Sequence, residues 1–163
     1  MNINKIEEPY VILLIGPPLS GKTTWINKNF IDKSVNVISR DQIVLDEYGS
    51  DDYDESFKNV DQKKVNQILE ESMENAAYNM ENVIVDMTNL TSKRRKHTLS
   101  HFGDDYTKIA VIFPLIEWDE FISRNEKRKR EENKTIPEHV IKRMISSYQA
   151  IRDDEGFDKV VSI

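Results

Sequence analysis

Residues 10–24 read Tyr10-Val11-Ile12-Leu13-Leu14-Ile15-Gly16-Pro17-Pro18-Leu19-Ser20-Gly21-Lys22-Thr23-Thr24. A continuous apolar run ends at Gly16, and Gly16 to Thr23 match the Walker A pattern G-x-x-x-x-G-K-[ST]. The apolar run predicts a buried parallel strand, and residues 22–30 predict a helix that begins directly after Gly21. In such a loop successive backbone N–H groups surround a phosphate at the positive end of the helix. The stretch therefore predicts a nucleoside triphosphate site.

The loop also supplies side chains for this site. Lys22 can reach the β- and γ-phosphates, and the Thr23 hydroxyl can ligate Mg²⁺. Leu19 stands where many such loops carry a second flexible glycine, and Pro17 and Pro18 stiffen the entry instead. The predicted nucleotide-binding residues of the loop are Gly16, Pro17, Leu19, Ser20, Gly21, Lys22, Thr23 and Thr24.

Length and composition are typical of one globular domain, which we expect to span residues 1–163. The 163 residues are 38% hydrophobic and include no cysteine, so neither disulfide-linked partners nor thiolate chemistry is expected. The polar N-terminus does not have the form of a signal peptide, and no apolar run reaches the ~20 residues that span a membrane. We therefore expect a cytoplasmic protein, or one of the host cytoplasm if it is viral, without membrane partners. The net charge of −6 argues against a protein that coats nucleic acid, although basic residues cluster locally.

Predicted strands and helices alternate after the loop. The apolar pattern predicts further strands at 34–39, 82–86, 108–113 and 157–163, and helices at 42–48, 59–80, 91–102, 117–130 and 137–151. The acidic residues 49–56 predict a solvated loop. This order predicts the α/β class, a doubly wound five-stranded parallel sheet with helices on both faces.

Polar residues at the carboxyl ends of these strands should meet in one crevice. Thr23 follows the first strand, Asp41 the second and Asp86 the third. Asp41 can accept a proton from an attacking hydroxyl, or it can be the N-cap of the next helix. Asp86 can hold Mg²⁺ through water, contact an acceptor or Asp41, or cap the following turn.

Basic residues late in the chain are candidates for contacts with the transferred phosphoryl group. Arg124 and Arg128 lie four apart and share a helix face, and the polar link 131–135 that follows is typical of a hinged lid. Their neighbours Lys127, Lys129 and Arg130 are interpreted as a solvated helix face. Lys93 to Lys96 can follow a phosphate backbone, but such a run is more often simply solvated. His97, His101 and His139 are interpreted as surface or core histidines without a metal role.

Taken together, the motifs resemble those of the kinase domain of phage polynucleotide kinase and its relatives among the P-loop kinases. The matching segments extend through almost the whole chain in the same order. They are Gly16–Trp25, Ser39-Arg40-Asp41, Val83–Leu90 with Arg94-Arg95, Trp118 with Arg124-Asn125 and Lys127-Arg128, and Pro137 with Met144 and Tyr148.

The resemblance implies an adenylate-kinase-like sheet, ATP and Mg²⁺ as cofactors, and transfer of the γ-phosphate to a hydroxyl, commonly a 5′-hydroxyl of DNA or RNA. It implies catalytic roles for Lys22, Asp41 as general base and Arg128 on the γ-phosphate, with Arg124 and Arg128 also binding nucleotide. Metal contacts are expected from Thr23 and, through water, Asp86. Homo-oligomers also occur in the family. The acceptor-binding residues it implies are Arg40, Asp41, Asp86, Thr88, Asn89 and Arg94.

Two departures from the family leave the acceptor open. Val44 stands where the phage enzyme has an arginine for a 3′-phosphate, and Met87 replaces an acidic residue before Thr88-Asn89-Leu90. The alternatives are a kinase for another hydroxyl, such as a hydroxymethylated base in phage DNA or a small nucleoside or nucleotide, and a non-enzymatic triphosphate-binding switch.

Overall fold

A computed structural model describes residues 6–30 and 34–163 of the chain. The strands are β1 (Tyr10–Ile15), β2 (Asn36–Ser39), β3 (Val83–Asp86), β4 (Thr107–Ile112) and β5 (Lys159–Ser162). The helices are α1 (Lys22–Phe30), α2 (Arg40–Tyr48), α3 (Tyr53–Asn59), α4 (Gln62–Tyr78), α5 (Ser92–Leu99), α6 (Trp118–Glu132) and α7 (Glu138–Ser146), with a 3₁₀ turn at Asp153–Glu155. Within these described ranges every helix is too short or too polar to cross a bilayer.

The sheet is parallel throughout, in the order β2-β3-β1-β4-β5. All six residues of β1 are buried, which is why its sequence is a continuous apolar run. The order reverses direction beside β1, so the phosphate loop that follows β1 lies where open sheets bind ligands. The predicted doubly wound architecture is confirmed.

Alternate residues of β1 face two separate apolar clusters. Val11 and Leu13 pack in a cluster with Leu69 and Met73 of α4, whereas Ile12 packs in a second cluster with residues of α1. Because successive side chains of a strand point to opposite faces, the two clusters lie on the two sides of the sheet. Helices therefore cover both faces.

The acidic stretch 49–56 is not a loop throughout, because α3 begins inside it. Asp52 is the N-cap of α3, and its side chain accepts a hydrogen bond from Glu55 N at 2.9 Å. The acidic residues of the first turn also suit the positive end of the helix. The charge pattern that predicted solvation was therefore also a helix start signal.

Other helix ends differ from the predictions. Helix α4 begins at Gln62 and ends at Tyr78, and Met80 beyond it is half exposed. Helix α5 ends at Leu99 rather than 102, and α7 ends at Ser146 rather than 151. The chain leaves α7 early because Gln149 binds the start of α5, through Gln149 N to Leu90 O and Ser92 N to the Gln149 side chain, both at 2.8 Å. Tertiary hydrogen bonds here replace the helical ones.

The basic run 93–96 is not uniformly solvated. Arg95 is fully buried, and its guanidinium donates to both carboxylate oxygens of Glu155 at 2.6 and 2.7 Å. It also donates to the carbonyl oxygens of Asn89, Leu90 and Ala150. Arg95 therefore joins the segment after β3 to the C-terminal 3₁₀ turn and is not available to a phosphate backbone.

Candidate active site

The backbone of the phosphate loop requires both glycines of the Walker A pattern. A Cβ on Gly16 would lie 2.8 Å from the Phe113 Cβ and 3.1 Å from the Ser20 hydroxyl oxygen. Gly21 has φ of +97°, in the region that side chains disfavour. Leu19 adopts φ of +65°, so the position that departs from the usual glycine keeps a left-handed backbone at a cost of about 1–3 kcal/mol.

Lys22 lies folded over the loop. Its Nζ donates to the carbonyl oxygens of Gly16 at 3.1 Å and Pro17 at 2.7 Å. Burial lowers the pKa of Lys22 to about 8, against the opposing effect of the Asp86 and Asp41 carboxylates. The Ser20 hydroxyl is buried without a hydrogen-bond partner among the described residues. A cation and an unsatisfied donor therefore lie in the loop whose backbone N–H groups are expected to bind a phosphate.

The segment after β3 is hydrogen bonded to the end of β1 and to the start of this loop. Gly16 N donates to Thr88 O at 3.0 Å, and the Asn89 side chain donates to Leu14 O at 2.9 Å. Asn89 is 1% exposed and has φ of +47°. Its side chain therefore binds the end of β1 directly before the loop, and the acceptor contact that the resemblance implied stays a prediction.

Asp41 lies in the first turn of α2, but it is not the helix cap. The Ser39 side chain caps α2 by accepting from Gln42 N. The Asp41 carboxylate instead accepts hydrogen bonds from the Tyr53 hydroxyl at 2.9 Å and from the Lys134 ammonium. Partial burial favours a higher pKa, but the Lys134 charge and the two hydrogen bonds outweigh it and lower the pKa of Asp41. The surroundings thus keep this carboxylate ionised.

Lys134 is the site residue that the sequence analysis missed. It lies between α6 and α7, is 7% exposed, and its ammonium stands 3.9 Å from the centre of the Tyr53 ring as well as on Asp41. Burial lowers the pKa of Lys134, and Asp41 opposes this shift. A lysine in a polar link is usually exposed, so the local pattern contained no signal for this contact.

Asp86 ends β3 and pairs in register with Ser39 at the end of β2. Burial raises its pKa, with Asp41 adding to the shift and Lys22 opposing it. Thr23 is exposed at the start of α1. A hydroxyl and a carboxylate are oxygen ligands of the kind that Mg²⁺ prefers, so the residues fit the ion that the sequence predicted.

Helix α6, which carries the predicted lid arginines, contacts the phosphate loop. Arg124 donates to Leu19 O at 2.7 Å and forms an ion pair with Glu120. Arg128 forms an ion pair with Glu132 at 3.0 Å, and its charge acts on Lys22, Asp41 and Asp86. The structure therefore brings both predicted lid arginines to the site.

The link after α6 is held on α3. Thr135 N donates to the Asp54 carboxylate at 3.0 Å, and Asp54 N donates to Asn133 O at 3.3 Å. The Asn125 side chain closes the base of the link through two hydrogen bonds to Ile136. Helix α3, which the sequence analysis did not predict, thus fixes the position of the link that carries Lys134.

Some predicted acceptor residues have other contacts. Arg40 is hydrogen bonded to Gln62 at 2.5 Å and to Asn66 at 3.4 Å, both on α4. Arg94 is partly buried in the first turns of α5. Val44 is fully buried, so this side chain offers no surface to a substrate.

A protein-family model described as "AAA domain" (AAA_33) matches residues 11–151. The chain belongs to this family. The match includes the phosphate loop, Asp41, Asp86 and the lid helix, which are the parts described above.

Solved structures agree with this family. The chain is similar to a protein in the "Pnkp1/Rnl/Hen1 RNA repair complex", with a TM-score of 0.68 and 23% identity over 90% of this chain and 46% of that one. It is also similar to Kti12 of Chaetomium thermophilum in complex with ADP-AlF3, with a TM-score of 0.65 and 12% identity over 94% of this chain and 88% of that one. At these identities the likeness shows the fold alone. The resemblance noted in the sequence is confirmed at this level.

Curated relatives are much longer than this chain. Human heterogeneous nuclear ribonucleoprotein U-like protein 2 is 25% identical over 162 residues, which cover 95% of this chain and 21% of that protein. The mouse protein of the same name gives a nearly identical match. The chain spans about a fifth of the length of these relatives.

Proposed function

We propose that the chain is an ATP-dependent kinase that phosphorylates a hydroxyl of a nucleic acid, with a 5′-hydroxyl end of DNA or RNA as the preferred acceptor. The observation that carries the proposal is the Asp41 carboxylate, which its neighbours keep ionised beside the loop that holds Lys22. A triphosphate switch has no need of such a base. A kinase needs one to accept the proton of the attacking hydroxyl.

Each group has a distinct part in the proposed transfer. Asp41 accepts the proton as the acceptor oxygen bonds to the γ-phosphorus and the bond to the β-phosphate oxygen breaks, which releases ADP. Lys22 and Arg128 stabilise the negative charge on the transferring group. Thr23 and Asp86 would hold Mg²⁺, which when bound neutralises charge on the β- and γ-phosphates.

The relatives favour a nucleic acid as the acceptor. One structural relative is part of an RNA repair complex, and the human and mouse relatives are named as ribonucleoproteins.

A second candidate is a P-loop kinase for another hydroxyl, such as a hydroxymethylated base or a small nucleoside. Val44 favours it, because a fully buried valine cannot replace the arginine that binds a 3′-phosphate in the family that the sequence resembles. The two candidates share Asp41, Lys22 and Arg128 and differ only in the acceptor.

The test is incubation of the protein with γ-labelled ATP, Mg²⁺ and a panel of acceptors. The panel holds 5′-hydroxyl DNA and RNA with and without a 3′-phosphate, hydroxymethylated duplex DNA, nucleosides and nucleotides. Asp41→Asn is the inactive control, and Asp46→Asn, an exposed position on the same helix, is the matched active one.

We expect label at the 5′ end of an oligonucleotide, irrespective of a 3′-phosphate. Label on an internal base or on a nucleoside would replace the first candidate with the second. Label released only as free phosphate, with every acceptor unlabelled, would contradict both.

A further inference from the structure

Three potential metal ligands from separate parts of the chain meet on the side of the sheet that α4 and α5 cover. Glu70 lies on α4, His97 on α5, and His101 in the turn that follows α5. Their ligand atoms all lie within 4.8 Å of one another. The sequence interpretation gave these histidines no metal role, but residues four apart share one helix face, and Glu70 completes the group.

Glu70 lies close to both histidines. His97 Nε2 lies 3.1 and 3.0 Å from the two oxygens of Glu70, and His101 Nε2 lies 2.7 Å from Oε2 of Glu70. In a tetrahedral zinc site with bonds of about 2.0–2.1 Å, neighbouring ligand atoms stand roughly 3.3 Å apart. The separations of the two histidine nitrogens from Glu70 thus lie within about 0.6 Å of the value for two ligands of one ion.

His101 provides an independent observation. Its side chain is only 10% exposed, and Nε2 has no hydrogen-bond partner among the described residues despite the short separation from Glu70. The two atoms are close without being directed at each other. Two ligands of one metal ion show such a close contact without a hydrogen bond between them, and a buried nitrogen without a partner is otherwise unfavourable.

An ordinary surface ion pair explains only part of this cluster. It accounts for Glu70 and His97, whose contact meets hydrogen-bond geometry and whose side chains are 30% and 50% exposed. His101 also lies within ion-pair distance of this carboxylate, but its buried Nε2 does not meet hydrogen-bond geometry there. A metal ion would satisfy all three groups.

We propose that Glu70, His97 and His101 bind one divalent transition-metal ion, with Zn²⁺ as the best match. Two imidazoles and one carboxylate suit Zn²⁺, whereas Mg²⁺ and Ca²⁺ prefer oxygen ligands alone. The exposed side, at His97, leaves a fourth position to water. Glu74 lies 4.0 Å from Nδ1 of His101 and can orient this ring from outside the shell.

The ion would link α4 to the end of α5. Leu69 and Met73 of α4 and Leu99 of α5 already pack in one apolar cluster. Zinc would thus fix the outer edge of this layer, as a structural ion that does not depend on the proposed kinase reaction. The predicted magnesium ligands Thr23 and Asp86 are separate residues with a different donor set.

The test is Zn²⁺ titration of the metal-free full chain, without nucleotide, in competition with a chromophoric chelator. We expect one equivalent to bind, with affinity about 10- to 100-fold lower or lost in Glu70→Gln, His97→Gln and His101→Asn. His139→Asn, an exposed histidine on α7, is the matched control and should bind as the wild type does.

Two further measurements keep the result interpretable. Melting temperatures measured without metal show whether each variant folds. If the buried His101→Asn does not fold, the half-exposed His97→Gln still tests the site. Zn²⁺ should raise the melting temperature of the wild type and of His139→Asn but not that of the other variants. The proposal would be overturned if the wild type does not bind Zn²⁺. It would also be overturned if His97→Gln and His101→Asn bind Zn²⁺ as tightly as the wild type.

Discussion

At Asp41 each carboxylate oxygen already accepts a hydrogen bond, one from Tyr53 and one from Lys134. A carboxylate has about four acceptor positions, so an incoming hydroxyl can still bind. The Tyr53 bond fixes the direction of the carboxylate, and the Lys134 charge keeps it ionised. These contacts support the proposal that Asp41 acts as the base.

Replacing Asp41 by asparagine tests this role. Asp41→Asn removes the proton acceptor but keeps the shape, so we expect turnover to fall by about 10² to 10⁴-fold while ATP affinity changes little. Parallel measurements of labelled product and of ATP binding separate the two effects. Loss of ATP binding to the same extent as turnover would show that Asp41 is structural.

Lys22 predicts a pH dependence of ATP affinity. Its pKa of about 8 in the free protein means that it loses its proton near pH 8, whereas bound phosphates favour the charged form and raise the pKa. ATP binding should therefore take up a proton and weaken as the pH rises above about 8. Calorimetry in buffers of different ionisation enthalpy measures the proton uptake. Lys22→Met should abolish it, and Lys28→Met, exposed on the same helix, should not.

Among the elements, helix α6 and the link after it contact both the phosphate loop and Asp41. Helix α6 contacts the phosphate loop through Arg124, and the link after it contacts α3 through Thr135 and Asp41 through Lys134. In the proposed reaction, this one segment would therefore contact both the nucleotide-binding loop and the base. Movement of this lid would expose Asp41 and the loop together.

The link between α6 and α7 should control the pH profile of the reaction. Asp41 must be ionised to accept a proton, and Lys134 is the charge that lowers its pKa. Lys134→Met should therefore raise this pKa and move the acidic limb of kcat/KM to higher pH. Lys129→Met, exposed on α6, should leave the limb unchanged. If the acidic limb stays at the same pH in Lys134→Met, Lys134 does not set the pKa of Asp41.

Arg128 on α6 should act mainly on turnover. An arginine that stabilises the transferring phosphoryl group contributes about 10³ to 10⁵-fold in rate. Arg128→Ala should lower kcat far more than it weakens ATP binding, and Arg130→Ala, exposed on the same helix, should do neither. If kcat stays unchanged in steady-state kinetics, Arg128 has no part in the transfer.

For the molecule as a whole, the Arg95–Glu155 pair connects distant parts of the chain. Both side chains are fully buried, and 60 residues separate them in sequence. Hydrogen bonding from Arg95 lowers the pKa of Glu155, against the opposing effect of burial. The pair therefore links the C-terminal 3₁₀ turn to the segment that supports the phosphate loop.

Breaking this pair should destabilise the fold. Glu155→Gln leaves a buried guanidinium without its counter-charge, and we expect the free energy of unfolding in urea to fall by about 3 kcal/mol. Asp154→Asn, in the neighbouring exposed pairs with Lys96 and Arg152, should cost less than about 1 kcal/mol. Because the pKa of Glu155 is lowered, its contribution is present above the ordinary glutamate pKa and is lost as the pH falls through the lowered value. A pH-independent difference between wild type and Glu155→Gln would contradict this account.

The elements were predictable where the signal is local. The strand, phosphate loop and first helix follow from an apolar run, two glycines and a lysine in one contiguous stretch. Asp41 and Asp86 followed from the rule that parallel strands deliver their carboxyl ends to one edge. Helix α3 was missed because its acidic N-cap sequence is equally typical of a solvated loop, and α7 was predicted too long because Gln149 binds the start of α5.

The sequence alone was sufficient to predict the class of fold, the position of the phosphate loop and the carboxylates beside it. These features depend on hydrophobic periodicity and on backbone requirements, which are encoded over a few residues. Packing alone set the partners of the charges. Lys134 and Arg95 lie in charged stretches that are typical of solvent, yet the first is buried on Asp41 and the second on Glu155. Glu70 likewise meets His97 and His101 only because α4 and α5 share one face of the sheet. A charge takes its partner from chain segments tens of residues away, and no local pattern contains that information.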